Sequence, residues 1–313
     1  MYLSAIRRVY EQKGLSSKST DIILRSWRKN TVNQYTVYMK MWFAFARQGL
    51  KPTIRNVIEF LTHLSEKGYN YNQLCAARSA VVVLSENPLL GKHPVLKRFM
   101  KGIFETKPTF PRMAVVWDIK CVFDYFRKMT EPLSMEMLGK KLVMLIALLA
   151  GGQRSQTINT LKVTDIKIAG DKCIIPVYDP IKQTRQGKHI KPLEFRVYLK
   201  EPKLCVITTL TEYLKITKQH RRDSAMFISY QRPFKPVSKD TIARWCRHVM
   251  TLSGIDERFV THSCRSAASS GAKKKKVWMK KLLEAGGWAS EQCFANHYDK
   301  LVVNDDTMAE MLL

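Results

Sequence analysis

Between Thr261 and Tyr298 the sequence carries a His-x-x-Arg (His262, Arg265), a Gly-Trp (Gly287, Trp288) and, ten residues past that tryptophan, Tyr298. Arg154 stands far upstream in GGQRSQT, and Lys182 lies between two strand-like runs. In this order the residue types suit the transfer of a phosphodiester onto a side chain. Arginine keeps its proton and presents a planar fork to two phosphate oxygens, so Arg154 and Arg265 are candidates to hold the non-bridging oxygens as charge shifts. A tyrosine hydroxyl can attack in line once nearby cations favour its deprotonation, which makes Tyr298 the candidate nucleophile. A lysine on a mobile loop can protonate the leaving 5′ oxygen, the part open to Lys182. Preorganised cations of this kind can stand in for a metal ion, and no metal or other cofactor is expected.

Each residue alone also has a plain structural reading. Arg154 at a helix start suits an ordinary surface position, and Lys182 shares its loop with Arg185, Lys188 and Lys191. His262 fits a core histidine, and Tyr298 a helix-packing tyrosine. The run Lys273, Lys274, Lys275, Lys276 reads as a solvated face, a contact to a phosphate backbone, or a nuclear-import signal. The chemical reading rests on their co-occurrence in order.

Such a site has to be positioned by folded domains, and 313 residues suffice for two. The chain holds 53 Lys+Arg against 26 Asp+Glu, a net charge of +27. That charge repels itself and points to a polyanion, with nucleic acid favoured over a membrane surface. No apolar run is long enough to span a membrane, and the first residues lack a secretory signal pattern. Seven scattered cysteines, an odd number, fit reduced thiols in cytosol or nucleus, and no zinc-ligand spacing occurs.

The first hundred residues predict a bundle of four helices. One is capped by Thr31, one by Thr53, a third covers about Asn70 to Ser85, and a short one opens at Pro94. Prolines break the pattern near 105–116, and 107–116 reads as a linker. Asp118 and Ser134 each cap a further helix, and Gly151-Gly152 ends the second just before Arg154. The convincing β region is a three-stranded antiparallel sheet over about 166–169, 173–178 and 190–198, its last two strands joined by the loop bearing Lys182. Helices follow at about 203–217 and from Ser238 to Leu252, then three short ones through the opening stretch. The expected fold class is mainly α with a small antiparallel sheet (α+β). A helical bundle at 1–106 and the linker precede a second domain at 117–313, whose tail 299–313 is apolar and acidic.

Residues 112–313 resemble the catalytic domain of tyrosine recombinases, the phage-integrase family, and the N-terminal bundle resembles its core-DNA-binding domain. The resemblance is carried by GGQRSQT, IKQTRQGK, LCVITTLTEYL, MFISYQRPFKPVSKDTIARW, THSCRSAAS and AGGWAS…HYDK, and it is strongest to the recombinases of eukaryotic DIRS-type retrotransposons and Crypton elements. It implies that the two domains close as a clamp on double-stranded DNA. Arg154 and Arg265 would hold the scissile phosphate, Lys182 would be the general acid and His262 would assist proton transfer. Trp288 would stand where many relatives have histidine, and Tyr298 would form a 3′-phosphotyrosyl link. Arg185, Lys188 and the run Lys273–Lys276 would contact DNA. Many relatives place the tyrosine one residue earlier, where this chain has His297, and Thr157 occupies a position commonly acidic in bacterial relatives. The implied function is site-specific recombination for a mobile element in the nucleus, by a homo-tetramer through a four-way junction, with the tail docked on a neighbouring subunit or folded back. A type IB topoisomerase-like enzyme and a captured, non-cleaving DNA-binding protein are the alternatives.

Overall fold

Helix starts in the first part of the chain follow capping chemistry. Thr53 Oγ1 accepts from the Asn56 amide at 3.3 Å, opening a helix at Ile54. Asn70 and Gln73 form a reciprocal capping box, each side chain accepting from the other's backbone N–H at 3.0 and 2.8 Å. The computed structural model describes residues 2–46, 51–109, 114–184, 186–187 and 189–303. It divides into two units, Met1–Arg112 and Met113–Leu313.

The first unit contains α1 (Tyr2–Gln12), α2 (Ser17–Leu24), α3 (Lys29–Phe45), α4 (Ile54–Glu66), α5 (Tyr71–Val82) and α6 (Pro94–Thr106). The expected four-helix bundle therefore gains α1 and α2. Tyr2 and Ile6, one helical turn apart, are fully buried, and the Tyr2 ring packs edge-on against Trp27 and Tyr35. Arg28, not Thr31, stands at the start of α3, so Thr31 lies inside the helix. Trp42, Phe60, Leu61 and Leu74 fill the centre of this core. Lys107 belongs to this unit too, since it ends α6 and its Nζ donates to the Ser65 carbonyl at 2.7 Å.

The second unit runs β1 (Val115–Val116), α7 (Lys120–Lys128), α8 (Met135–Leu149), α9 (Ser155–Asn159), β2 (Lys167–Ala169), β3 (Lys172–Ile175) and β4 (Leu193–Arg196). It continues with α10 (Val206–Thr217), α11 (Lys239–Leu252), α12 (Ser263–Lys274), α13 (Met279–Gly286), α14 (Glu291–His297) and β5 (Leu301–Val302). The apolar α8, capped by Ser134, is buried along most of its length, with α10, α11 and α12 packed around it. Strands β2, β3 and β4 form an antiparallel sheet in that order, with Cys173 opposite both Ile168 and Phe195. These strands are shorter than their apolar patterns.

A second, parallel pairing shortens the expected linker. Val115 and Val116 pair with Leu301 and Val302, and the Val303 amide donates to the Val116 carbonyl at 2.6 Å. Residues 115–116 are thus a strand of the second unit rather than linker. The first part of the 299–313 tail pairs with β1 of its own chain, which satisfies its backbone while Val302 is buried. Residues 304–313 lie outside the described residues. Among the described residues no helix is long and apolar enough to cross a membrane.

Candidate active site

The site is built where the C-terminal end of α8 meets the turn that ends α13. Gly151 and Gly152 follow α8, and Gly152 packs so closely on α12 that a Cβ there would stand 2.8 Å from the Arg265 carbonyl oxygen. Gln153 then locks the turn, its Nε2 donating to the carbonyls of Ala150 and Ala285 at 2.7 and 2.8 Å. This delivers Arg154 to the start of α9, where its Nη2 donates to the Tyr298 hydroxyl at 2.8 Å.

Arg265 projects from the first turn of α12 and is 2% exposed. Its Nη1 donates to the Gly152 carbonyl at 2.6 Å and its Nη2 to the Gly286 carbonyl. The guanidinium carbon lies 4.1 Å from the centre of the Trp288 ring and 5.0 Å from that of Tyr298. Carbonyl oxygens and aromatic faces thus compensate a buried cation. Burial, then the nearby Arg154, lowers the Arg265 pKa to about 10, which leaves the group charged at neutral pH. The Nε atoms of Arg154 and Arg265 are both buried without a hydrogen-bond partner among the described residues. Two guanidiniums with donors to spare make a site for an anion.

Trp288, 5% exposed, wedges between Phe294 and Tyr298 with ring centres at 5.3 and 5.1 Å. It supports the Tyr298 ring and the Arg265 guanidinium by packing. Tyr298 ends α14 and is pinned on its far side by buried Ser270, whose Oγ donates to the Tyr298 carbonyl and accepts from the Lys300 amide, both at 3.0 Å. His297, the alternative at the shorter spacing, is exposed, while Tyr298 faces both arginines.

His262 immediately precedes α12, its ring 6.3 Å from that of Tyr298. The residue keeps access to solvent at the cavity mouth, yet its ring is enclosed enough to shift. Burial, then Arg154, Arg265 and Lys182, lowers its pKa to about 4, so it is neutral at physiological pH. Lys182 occupies the corner of a tight turn in which the Thr184 amide donates to the Ile181 carbonyl at 3.0 Å. Arg154, Lys182, His262 and Arg265 line one cavity of about 300 Å³, with Gln153 in its wall. Trp288 and Tyr298 adjoin it through the contacts above.

Of the expected DNA-contacting residues, Arg185 and Lys188 lie outside the described residues. Lys273 is ion-paired with Asp299, directly after the tyrosine, so part of its charge is spent holding that segment. Lys274, Lys275 and Lys276 are exposed at the end of α12. Thr157 is fully buried, directly after cavity-lining Gln156, and its hydroxyl has no partner among the described residues. Gln153, Ser270 and Asp299 were not legible as site residues. Their side chains act on backbone or on a distant lysine, and no residue-type pattern announces that.

Among curated proteins none matches the chain. The sequence pattern of the phage integrase family matches residues 127–304, more than half of it. The chain belongs to the phage integrase family. It is therefore by class a tyrosine recombinase, and its fold agrees. A XerH site-specific recombinase in a pre-cleavage complex with difH substrate is similar over 96% of this chain and 93% of that one, at 14% identity and a TM-score of 0.63. The Tn1549 transposon integrase with transposon right end DNA covers 98% and 97% at 12% identity and a TM-score of 0.60. A lambda integrase tetramer bound to a Holliday junction covers 98% and 78% at 14% identity and a TM-score of 0.52. At these identities the likeness establishes a shared fold, and the site residues of this phage-integrase member rest on its own geometry.

Proposed function

We propose that this recombinase cuts and rejoins double-stranded DNA at specific sites for a mobile element, with Tyr298 as nucleophile. One observation carries the reading: the Tyr298 hydroxyl is held 2.8 Å from Arg154 Nη2 within its own chain, while its ring faces the Arg265 guanidinium. The hydroxyl stands among the cations that would hold a phosphate.

In this mechanism the spare donors of Arg154 and Arg265 bind the non-bridging oxygens of the scissile phosphate. Tyr298 Oη forms a bond to phosphorus as the bond to the 5′ oxygen breaks. Neutral His262 accepts the tyrosine proton, and Lys182 gives one to the departing 5′ oxygen. A 5′ hydroxyl from a partner strand then attacks the phosphotyrosine, freeing Tyr298 and completing exchange. Trp288 keeps Arg265 and Tyr298 in register. Exposed Lys274–Lys276, with Arg185 and Lys188, would follow the phosphate backbone, and the lysine run would suit entry to the nucleus. Assembly as a homo-tetramer on a four-way junction is supported by the neighbour that is a tetramer on a Holliday junction. The AGGWAS…HYDK pattern, with its longer spacing to tyrosine, supports an origin near the DIRS and Crypton recombinases.

The test is a denaturant-stable protein–DNA adduct. The parent chain should form it on duplex DNA, and Tyr298→Phe should fold and bind DNA equally yet form none. An adduct from Tyr298→Phe would show that another residue attacks. Recombinant products from paired sites, rather than relaxed circles alone, would separate this reading from a topoisomerase.

A further inference from the structure

The turn Glu284–Trp288 touches every segment of the site. The Ala285 carbonyl accepts from Gln153, the Gly286 carbonyl from Arg265, and Trp288 stacks on Arg265 and Tyr298. The loop bearing Lys182 docks on it at two further points. Glu284 pairs with Lys191 at 2.7 Å, an exposed contact that screening makes weak. The other point is Gln183, the residue after Lys182. Gly287 adopts the left-handed conformation (φ 67°), and a Cβ built on it would lie 3.2 Å from Gln183 Cγ. The stem of Gln183 therefore rests on the bare face of Gly287, where any side chain would crowd it.

The head of Gln183 is unusual. Its Oε1 and Nε2 are both shut off from water, and neither has a hydrogen-bond partner among the described residues. An apolar side chain of similar length would fill the same space without desolvating an amide. The stem favours the docked loop, and the amide opposes it by preferring water.

We propose that Gln183 is the positioning residue for Lys182, seating the loop on Gly287 through its stem while its unpartnered amide keeps that seat reversible. Docking fixes the tight turn Ile181–Thr184, at whose corner Lys182 meets the cavity; undocking withdraws the lysine. The inference rests on the reading of Lys182 as proton donor to the 5′ oxygen, and the experiment tests the two separately.

Two nicked duplex oligonucleotides would carry a cleavage sequence recovered from the covalent adduct. One has the ordinary 5′ oxygen at the scissile phosphate, the other a bridging 5′ sulfur, which leaves as a thiolate without needing a proton. Lys182→Ala should slow single-turnover cleavage of the oxygen substrate by roughly 10² to 10⁴-fold and leave the sulfur substrate nearly unchanged. Equal slowing on both would overturn the reading of Lys182 itself. Given that control, Gln183→Ala should slow the oxygen substrate by roughly 10 to 10²-fold and spare the sulfur substrate. Gln183→Met keeps the stem and lacks the amide, so it should cleave the oxygen substrate at least as fast as the parent. Three results would each overturn the proposal: Gln183→Ala slowing both substrates alike, Gln183→Ala slowing neither, or Gln183→Met as slow as Gln183→Ala.

Discussion

Arg265 and His262 stand three residues apart, and the surroundings that leave the arginine charged keep the histidine neutral. Both pKa values are lowered by burial first and by neighbouring cations second. The arginine starts so high that it stays protonated, whereas the histidine drops from 6.5 to about 4. Since the folded value lies below the unfolded one, folding favours the neutral ring. Its contribution to stability is complete above about 6.5 and is lost as pH falls toward about 4. The urea midpoint of the parent should therefore fall more steeply over that window than the midpoint of His262→Gln, which cannot charge. Parallel curves would show that the ring does not titrate low. A phosphate in the cavity would offset the cations and raise the histidine again, so DNA binding in that window should take up a proton.

Among the elements, the end of α13 determines whether these side chains meet at all. Gly286 has no room for a side chain: a Cβ there would fall 1.8 Å from Trp288 Cζ3. Gly286→Ala must therefore move the indole, and with it the surface on which Arg265 and Tyr298 stack. The expected cost is about 2 kcal/mol of stability, with cleavage falling far more than DNA affinity. Thermal melting and adduct yield measure the two, and an unchanged yield would mean that Trp288 can shift without disturbing the arginine. Elements of this kind were only partly legible in the sequence. Thr53, Ser134 and Ser238 announce their helices because capping is a local event, and the cap hydrogen bonds are present. The residues of the cavity were legible because arginine, lysine, histidine and tyrosine at these spacings have few other joint explanations. The pairing of β1 with β5 was not legible, because two-residue strands from opposite ends of a unit have no periodicity. Nor was the role of Gln183, whose significance is its contact with a bare glycine far along the chain. Helices α1 and α2 were not legible because each buries few residues, Tyr2 and Ile6 in the first and Thr20 and Leu24 in the second, too few to mark a periodic face.

For the whole molecule the governing facts are the net charge of +27 and a large apolar core in each of the two units. A chain this basic resists its own association in free solution and relaxes that resistance on a polyanion, where phosphates neutralise the surface. Assembly on paired DNA sites is then open to short contacts that would be too weak without DNA. The sequence after Val303, NDDTMAEMLL, has the composition for one, since Met308, Met311 and Leu312 are apolar beside Asp305, Asp306 and Glu310. Acidic residues gain nothing from DNA and are attracted to a basic protein surface. The β1–β5 pairing sharpens the test, because residues 301–303 are needed by the chain itself and must be kept. A chain ended after Val303 should keep its melting temperature and its affinity for a single site. If the segment docks on a neighbouring subunit, that chain should assemble less on paired sites, read as a loss of the tetramer in sedimentation on DNA. Equal tetramer from both chains would place the segment's role within one subunit. A chain ended after Lys300 should lose more, since Val302 leaves the core and the strand pairing that anchors the chain just beyond Tyr298 is removed. It should melt lower and cleave poorly even at single sites, and the difference between the two truncations separates holding the tyrosine from linking the subunits.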